Sequence, residues 1–405
     1  MHMLRFQSGS HRYCYPAAGA SAMKRRAAAW LLIGLAGVAC QTVDDPPSAE
    51  LNARWEVALA FEVDTSAIRL RGAMPVDQGI VVATDSRVPV VRYDDAGRII
   101  GRSGRMGAGP DEFRRPTAFG IDQAAGSVVV YDAGKAQLVR LDGDRVHALG
   151  RLGLSKSPPV SADFESEWYG EAQPVMMVGD RVLVVHPRRT LSVPGDLVAF
   201  DVFSARPGSE ATLLLSVDPD SANVPWYNRG GLAPMPLFAS CGTDGWVAYT
   251  PHDGRVVWRD AAGTETSHDL GLPTNPVPDA DKLAIFRHQI SSEIRGPLDE
   301  RMEAMARQAV EQSDEYFSPV RPDFVAAGCT SSGTVWLQRY DSGFPPSFRG
   351  SSWLTLARNG EATAVHWPVA ARLLWIDDDR ALGVQSDADD VEQLILLRPV
   401  RSGVP

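Results

Sequence analysis

From residue 51 onward the chain is a succession of short apolar runs separated by polar turns, and the runs come in groups. GIVVATDSRVPVVRYDDAGRIIG (79–101) holds a glycine, an apolar run, an aspartate, a polar turn, a second run ending in an acid, another turn and a third run. GSVVVYDAGKAQLVRLDGDRVHALG (126–150) repeats that order, and GDRVLVVHPRRTLSVPGDLVAFDVFSARPG (179–208) repeats it with a longer turn. GWVAYTPHDGRVVWRDAAGTETSHDLG (245–271) is a fourth copy. GTVWLQRY (333–340) with SSWLTLARNGEATAVHWP (351–368) makes a fifth, and RLLWIDDDRALGVQSDADDVEQLILLRPV (372–400) a sixth that stops one strand short. Short runs rich in β-branched and aromatic residues, bounded by Gly, Asp and Pro, are strand signals. Each full copy is preceded by one more such run, for example PTAFGID (116–122) or PLFASC (236–241).

Four short strands recurring at a period of about 40 residues are the unit of a β-propeller blade. The pattern therefore predicts an all-β fold, a six-bladed β-propeller over residues 51–405. The strand missing from the sixth copy lies at the other end. ARWEVALAFEV (53–63) places Trp55, Val57, Leu59, Phe61 and Val63 at period two and belongs to no group. It is expected to pair with VEQLILLRPV (391–400) as the outer strand of the last blade, closing the ring and removing an exposed edge.

Between the first two copies stands GRSGRMGAGPDEFRRP (101–116), rich in glycine. A Walker loop would need Gly-Lys-Ser/Thr at its end, and a dinucleotide fingerprint would need a following helix where PTAFGID reads as a strand. The stretch instead turns the chain from the rim of one blade to the hub of the next, where glycines supply positive φ. It resembles the NHL-repeat linker, Gly-x-Gly-Pro-Gly-Glu-Phe-x-x-Pro. Gly107, Gly109, Pro110, Glu112, Phe113 and Pro116 match, and Asp111 replaces a glycine. By that resemblance Phe113 plugs between blades and Glu112 caps backbone amides. With this linker the chain is similar to the six-bladed TolB-like and NHL-like propellers of exported bacterial lipoproteins. The likeness implies fold far more than function, because such propellers host lactonases, lyases, sugar oxidoreductases and binding scaffolds.

Two insertions interrupt the regular copies. VPWYNRGGLAPM (224–235), with Trp226, Tyr227 and Arg229, lengthens the connection between blades three and four. Residues 279–317, between blades four and five, have helical spacing on both sides of Gly296-Pro297. Leu283, Phe286, Ile290 and Ile294 form one stripe; Met302, Met305 and Ala309 form another. The helical pair is expected to pack these stripes onto one face of the ring as a cap, or to serve there as a lid or docking surface.

The N-terminal end carries an address. Met23-Lys24-Arg25-Arg26 opens a positive segment, AAAWLLIGLAGVA (27–39) is an unbroken apolar run, and Cys40 follows. The run is too short to span a bilayer, and the ensemble reads as a signal peptide over 23–39 with residues 1–22 upstream of the true start. Gly37-Val38-Ala39-Cys40 resembles a bacterial lipoprotein box, with Gly37 where leucine is usual, which implies lipid on Cys40 and a tether over 40–50. An ordinary cleaved signal with an incidental cysteine is the alternative. Gln41 lacks the acid that marks inner-membrane retention in that class, which points to the outer membrane facing the periplasm. Residues 1–39 hold five basic and no acidic side chains, so the rest of the chain sets 35 basic against 50 acidic residues. A body that acidic repels nucleic acid and anionic lipid. The membrane is reached only through the anchor, and the protein is expected to be a monomer.

Candidate chemistry is sparse. Calcium-dependent lactonases of this class bind the ion through Glu, Asn and Asp of several inner strands. The inner strands here offer Asp122 as one carboxylate, with Cys241 and Cys329 at matching positions of blades four and five. No catalytic residue, metal site or cofactor is expected. His186 and His252 each lie seven residues after their blade's glycine, at the turn after the second strand, and read as solvated turn residues before any acid–base pair. Export exposes Cys241 and Cys329 to an oxidising compartment; a disulfide and two buried free thiols are both open. His186, Trp226, Tyr227, Arg229, His252 and Tyr340 mark one face as the expected partner-binding surface. The reading is a lipid-anchored, non-catalytic propeller that binds a protein, peptide or glycan there. The alternative is a lactonase-like or lyase-like enzyme with its site in the central channel.

Overall fold

A computed structural model describes residues 54–400, except 64–69, 78, 85, 123–126, 133, 136, 144, 153–166, 170–172, 179–180, 191–196, 218–235, 243–244, 252, 261, 274, 295–297, 312–319, 341–349 and 387–390. All of these lie within one unit, Ser48–Pro405. The expected signal segment and tether, with Cys40, fall outside the described residues, as do Trp226, Tyr227, Arg229 and His252.

Strand β1 (Trp55–Glu62) is followed by β2 (Leu70–Val76), β3 (Gly79–Thr84), β4 (Val90–Tyr93) and β5 (Ile99–Ser103), of which the last four make a sheet in chain order. The linker contains β6 (Arg105–Met106) and β7 (Glu112–Phe113), a short parallel pair. A second sheet runs β8 (Pro116–Asp122), β9 (Ser127–Asp132), β10 (Gln137–Asp142) and β11 (Arg145–Arg151). In the third, β12 (Glu167–Tyr169) and β13 (Gln173–Val178) both pair with β14 (Arg181–Thr190), followed by β15 (Leu197–Ala205) and β16 (Thr212–Val217). The fourth is β17 (Leu237–Cys241), β18 (Gly245–Thr250), β19 (Arg255–Asp260) and β20 (Glu265–Asp269). Helices α1 (Asp279–Ile294) and α2 (Glu300–Glu311) come next. Then β21 (Phe324–Cys329), β22 (Val335–Arg339), β23 (Gly350–Leu356), β24 (Ala362–Ile376), β25 (Ala381–Ser386) and β26 (Glu392–Pro399) join β1 in a seven-stranded sheet.

The first strands of successive groups lie beside one another in a circle. β2 neighbours β8, β8 neighbours β13, β13 neighbours β17, β17 neighbours β21, β21 neighbours β24, and β24 returns to β2. Antiparallel sheets arranged this way about a common centre form a β-propeller. Because strands alternate in direction, the connections between sheets and the β18–β19 type of turn emerge on one side. The β17–β18 and β19–β20 turns emerge on the other.

The apolar runs are continuous in the second strands because each sheet is covered on both faces. All six residues of β3 are buried. Val81 joins Phe113, Val130 and Val139 on one side, while Ile80 and Val82 join Tyr93, Leu382 and Leu394 on the other. Burial of alternate residues in opposite interfaces makes each second strand the stiff centre of its sheet.

Strand β1 pairs with β26 as the period-two pattern predicts, from Trp55↔Pro399 to Glu62↔Gln393. Its facing differs from that pattern. A bulge between Val57 and Leu59 shifts the register. Trp55 therefore enters a cluster with Trp336, Trp353 and Trp367, whereas Leu59 and Phe61 pack on the opposite side with Leu70 and Tyr93. One extra residue turns every later side chain to the other face, so one strand closes both interfaces. β24 also departs from expectation. Its first part pairs with β23 and its end, Arg372–Ile376, with β25, so outer and inner strand are one continuous element.

The glycine-rich linker is built as a corner. Phe113 is fully buried between the first two sheets. Glu112 accepts a hydrogen bond from the Gly109 N–H (2.6 Å) and an ion pair from Arg105 (2.6 Å). The Gly109 amide, with burial opposing and Arg105 assisting, holds the Glu112 carboxyl below its ordinary range. Buried Asp132 accepts from the backbone N–H groups of Arg114 (2.9 Å) and Arg115 (2.8 Å). Gly104 has φ +71°, and a Cβ there would meet the Phe113 ring at 2.5 Å.

Candidate functional site

The helical excursion has a closed neck. Pro276 and Val320 form a β-bridge, and the Arg321 N–H donates to the Asn275 carbonyl at 2.9 Å. Within it, Asp299 caps α2 by accepting from the Met302 N–H at 2.8 Å, and Arg287 of α1 bonds Glu303 of α2 at 2.8 and 3.0 Å.

The expected stripe reaches the root in part: Phe286 packs against it, and the side chains of Ile290 and Ile294 lie outside the described residues. Asp281, Ile285 and Ala306 are buried, while Leu283 and Phe286 are only half-buried and Met305 is 53% exposed. Ile285 packs with Val277 and Tyr340. The Tyr340 hydroxyl donates to the buried carboxylate of Asp281 at 3.0 Å. Burial first, then the charge of Asp281, pushes the Tyr340 phenol up, so it stays a donor at all ordinary pH. Tyr340 is thus corrected from a partner-contacting residue to a root of the helices: at 7% exposure and hydrogen-bonded inward, it offers no accessible surface.

Beside this root the starts of β17 and β21 converge with the ends of β18 and β22. Tyr249 stands opposite Leu237, and Arg339 opposite Phe324. The Tyr249 ring meets the Phe324 ring edge to face at 5.1 Å. Tyr249 is 1% exposed, and no described residue bonds its hydroxyl. Burial, with a smaller contribution from the charge of Asp323, pushes this phenol up as well. Asp323 is half-buried immediately before β21, and its carbonyl accepts from the Tyr340 N–H at 2.9 Å. Desolvation raises the Asp323 carboxyl above its ordinary 3.8, against an Asn275 hydrogen bond and the nearby guanidinium groups of Arg321 and Arg339. Arg321 lies 6.0 Å over the Tyr340 ring with its Nε buried and unbonded among the described residues. Arg339 is exposed.

A buried polar group without a partner costs about 1–3 kcal/mol. Tyr249 and Arg321 each bury one such atom within electrostatic range of the Asp323 carboxyl. Among the described residues no group of three or more His, Cys, Asp or Glu is placed to hold a metal.

The other expected positions fall elsewhere. His186 lies inside β14 opposite Asp201, not at a turn, because β14 and β15 continue pairing to Thr190↔Leu197. Its side chain, like that of Asp122, is outside the described residues. Cys241 and Cys329, both buried at the ends of β17 and β21, form a disulfide with Cα atoms 4.7 Å apart. The inner strands of these two sheets approach that closely at this end, so the distance that would forbid a bridge does not arise. Asp323, Tyr249, Arg321 and Asn275 carry no signal in the sequence, since a Pro-Asp before a strand and a strand tyrosine are ordinary in any blade.

No family model matches the chain, and no curated protein matches it. Solved structures do. A member of the duf4221 family from Bacteroides vulgatus aligns at TM-score 0.49 and 7% identity, covering 85% of this chain and 98% of that one. An exported protein of Bacteroides fragilis aligns at 0.46 and 12%, covering 86% and 96%. A gluconolactonase of Xanthomonas campestris aligns at 0.41 and 10%, covering 87% and 92%.

Proposed function

We propose that this chain is an exported, lipid-anchored, six-bladed propeller that binds a partner, without catalysis, on the side bearing the helices. In this reading residues 23–39 are the signal, Cys40 carries lipid, 40–50 are a tether and 51–405 the propeller, with the helical insertion over 279–317 between blades four and five. The partner is a protein, peptide or glycan. Nucleic acid is excluded by the acidic body, and the chain works as a monomer.

One observation carries the placement: the unbonded Tyr249 hydroxyl and Arg321 Nε beside the desolvated Asp323, at the neck of an excursion rooted through Asp281–Tyr340. Export is supported by the positive and apolar N-terminal segment and by the Cys241–Cys329 disulfide, which persists in oxidising compartments. A photo-crosslinker at Met305, exposed on α2, is the test, with one at exposed Ala262 in the β19–β20 turn as the opposite-side control. In an exporting host the partner is expected on position 305 and not on 262. The reverse pattern sinks the placement. A Cys40→Ser chain is expected to leave the membrane fraction; a wild type that is soluble in that host rejects the anchor.

A further inference from the structure

We propose that the Cys241–Cys329 bridge is a redox gate on the maturation of the ring. The two thiols are oxidised before the sheets that carry them pack together, and a chain that packs reduced is held reduced. The gate is independent of what the helix-bearing side binds.

The bridge joins the last residues of β17 and β21, neighbouring inner strands, across a sequence separation of 88. Both cysteines are buried, at 4% and 5% exposure, in one cluster that draws Val247 and Trp258 from the fourth sheet and Val335 and Leu337 from the seven-stranded sheet. Further contacts tie the two sheets here. The Trp258 indole N–H donates to the Gly333 carbonyl at 2.8 Å, and a Cβ on Gly242 would meet the Ser331 Cα at 3.4 Å. Oxidation runs by attack of one thiolate on the oxidant's disulfide, through a mixed disulfide that the second thiolate resolves. One S–S bond forms in the chain and one breaks in the oxidant, a protein or small-molecule disulfide, which takes two electrons and two protons and leaves as two thiols. The mixed disulfide needs room for a second sulfur-bearing molecule beside Cys241 or Cys329. The packed cluster, built from both sheets, leaves them enclosed, so the exchange belongs to a stage before the sheets meet. This is also the seam that the chain ties least. Residues 270–323 are the longest connection in the ring, whereas β24 passes from β23 to β25 without a break. The cost of bringing two ends together grows with the length between them, and the Pro276–Val320 bridge shortens this one only after the neck has folded. The chain enters β21 at the end where Tyr249 meets Phe324, and the disulfide ties the other end. A buried pair in that place is no surface sensor. It records whether a disulfide donor was present while the ring assembled.

Full-length protein from an exporting host is unfolded in guanidinium with dithiothreitol and refolded on two schedules. Oxidised glutathione is present from the start in one and added after refolding in the other, and alkylation read peptide by peptide follows Cys241 and Cys329. The early schedule is expected to bridge the pair, and the late one to bridge it about tenfold more slowly or worse. A late rate closer to the early one than that overturns the gate. If the chain aggregates on both schedules, the native bridge decides. Dithiothreitol is expected to reduce it about a hundredfold more slowly in the folded protein than in guanidinium, and a smaller difference overturns the gate. The double variant Cys241→Ala with Cys329→Ala tests the tie itself. It should melt about 3–10 °C below the wild type, with hydrogen exchange quickening first over 237–241 and 324–329. A variant that melts with the wild type, or whose exchange quickens evenly across all sheets, overturns the bridge as the tie of this seam.

Discussion

Two connections between neighbouring sheets use polar residues to opposite ends. At the linker over 101–116 two carboxylates are consumed locally: Glu112 by Gly109 and Arg105, and Asp132 of β9 by the amides of Arg114, Arg115 and Gly134. Lys135 closes the corner by donating to the carbonyls of Gly109 and Glu112. At the neck between β20 and β21, Asp281 is consumed by Tyr340, but Tyr249, Arg321 and Asp323 keep unspent bonding capacity. Carboxylates bonded in place make the linker architecture. In the longer connection over 270–323 the half-buried Asp323 has a desolvated carboxyl, and a buried donor left unbonded carries a stability cost.

Removing the closing strand gives the largest expected effect, because it strips both interfaces that β1 serves. A chain starting at residue 66 leaves β26 with an unpaired edge beside Leu394, Ile395, Leu396 and Leu397, and is expected to be insoluble. A chain starting at residue 50 should fold. Equal solubility of the two, measured by sedimentation of the expressed chains, would break the closure. Phe113→Ala comes next. It empties a fully buried site in the satisfied corner and should cost about 3–5 kcal/mol in denaturant unfolding. A loss under about 1 kcal/mol would show that the corner does not hold the sheets together.

Tyr340→Phe tests the root of the helices. It leaves the buried Asp281 carboxylate without its donor and should cost about 1–3 kcal/mol, with exchange quickening first in α1. Uniform quickening across all sheets would contradict a local root. Asp323→Asn is the smallest effect and has the opposite sign. The folded carboxyl holds its proton more tightly than the unfolded one, so native stability is present in full at low pH and declines as pH rises through 3.8 and above. Asparagine resembles the protonated form and removes that decline. The variant should melt about 1–2 °C higher than the wild type at neutral pH, and the two should converge near pH 3. A variant that melts lower at neutral pH would make Asp323 a structural carboxylate like Asp132.

Much of the architecture was legible because its causes are local. Period-two runs bounded by turn residues make strands wherever they fall, and the order of runs made the groups and the role of residues 53–63 readable before any contact was known. The linker was legible for the same reason: Glu112 and Phe113 act on neighbours a few residues away or on the next sheet. Which face an element presents was not local. Residues 55–63 alternate evenly in the sequence, and only pairing with β26 introduced the bulge that turns Leu59 and Phe61 away from the side of Trp55. Likewise the helical spacing of 279–317 predicted two helices and a stripe containing Phe286, but not the burial of Asp281 and Ile285, because that is decided by Tyr340, far along the chain, and by what Asp281 can bond there. The disulfide needed the approach of β17 to β21. The candidate site needed more still, since Tyr249, Asn275, Asp323 and Arg339 come from separate stretches of two sheets and the neck between them. The unbonded Tyr249 hydroxyl and the desolvated Asp323 carboxyl are properties of who their neighbours are, and neighbours are what folding decides.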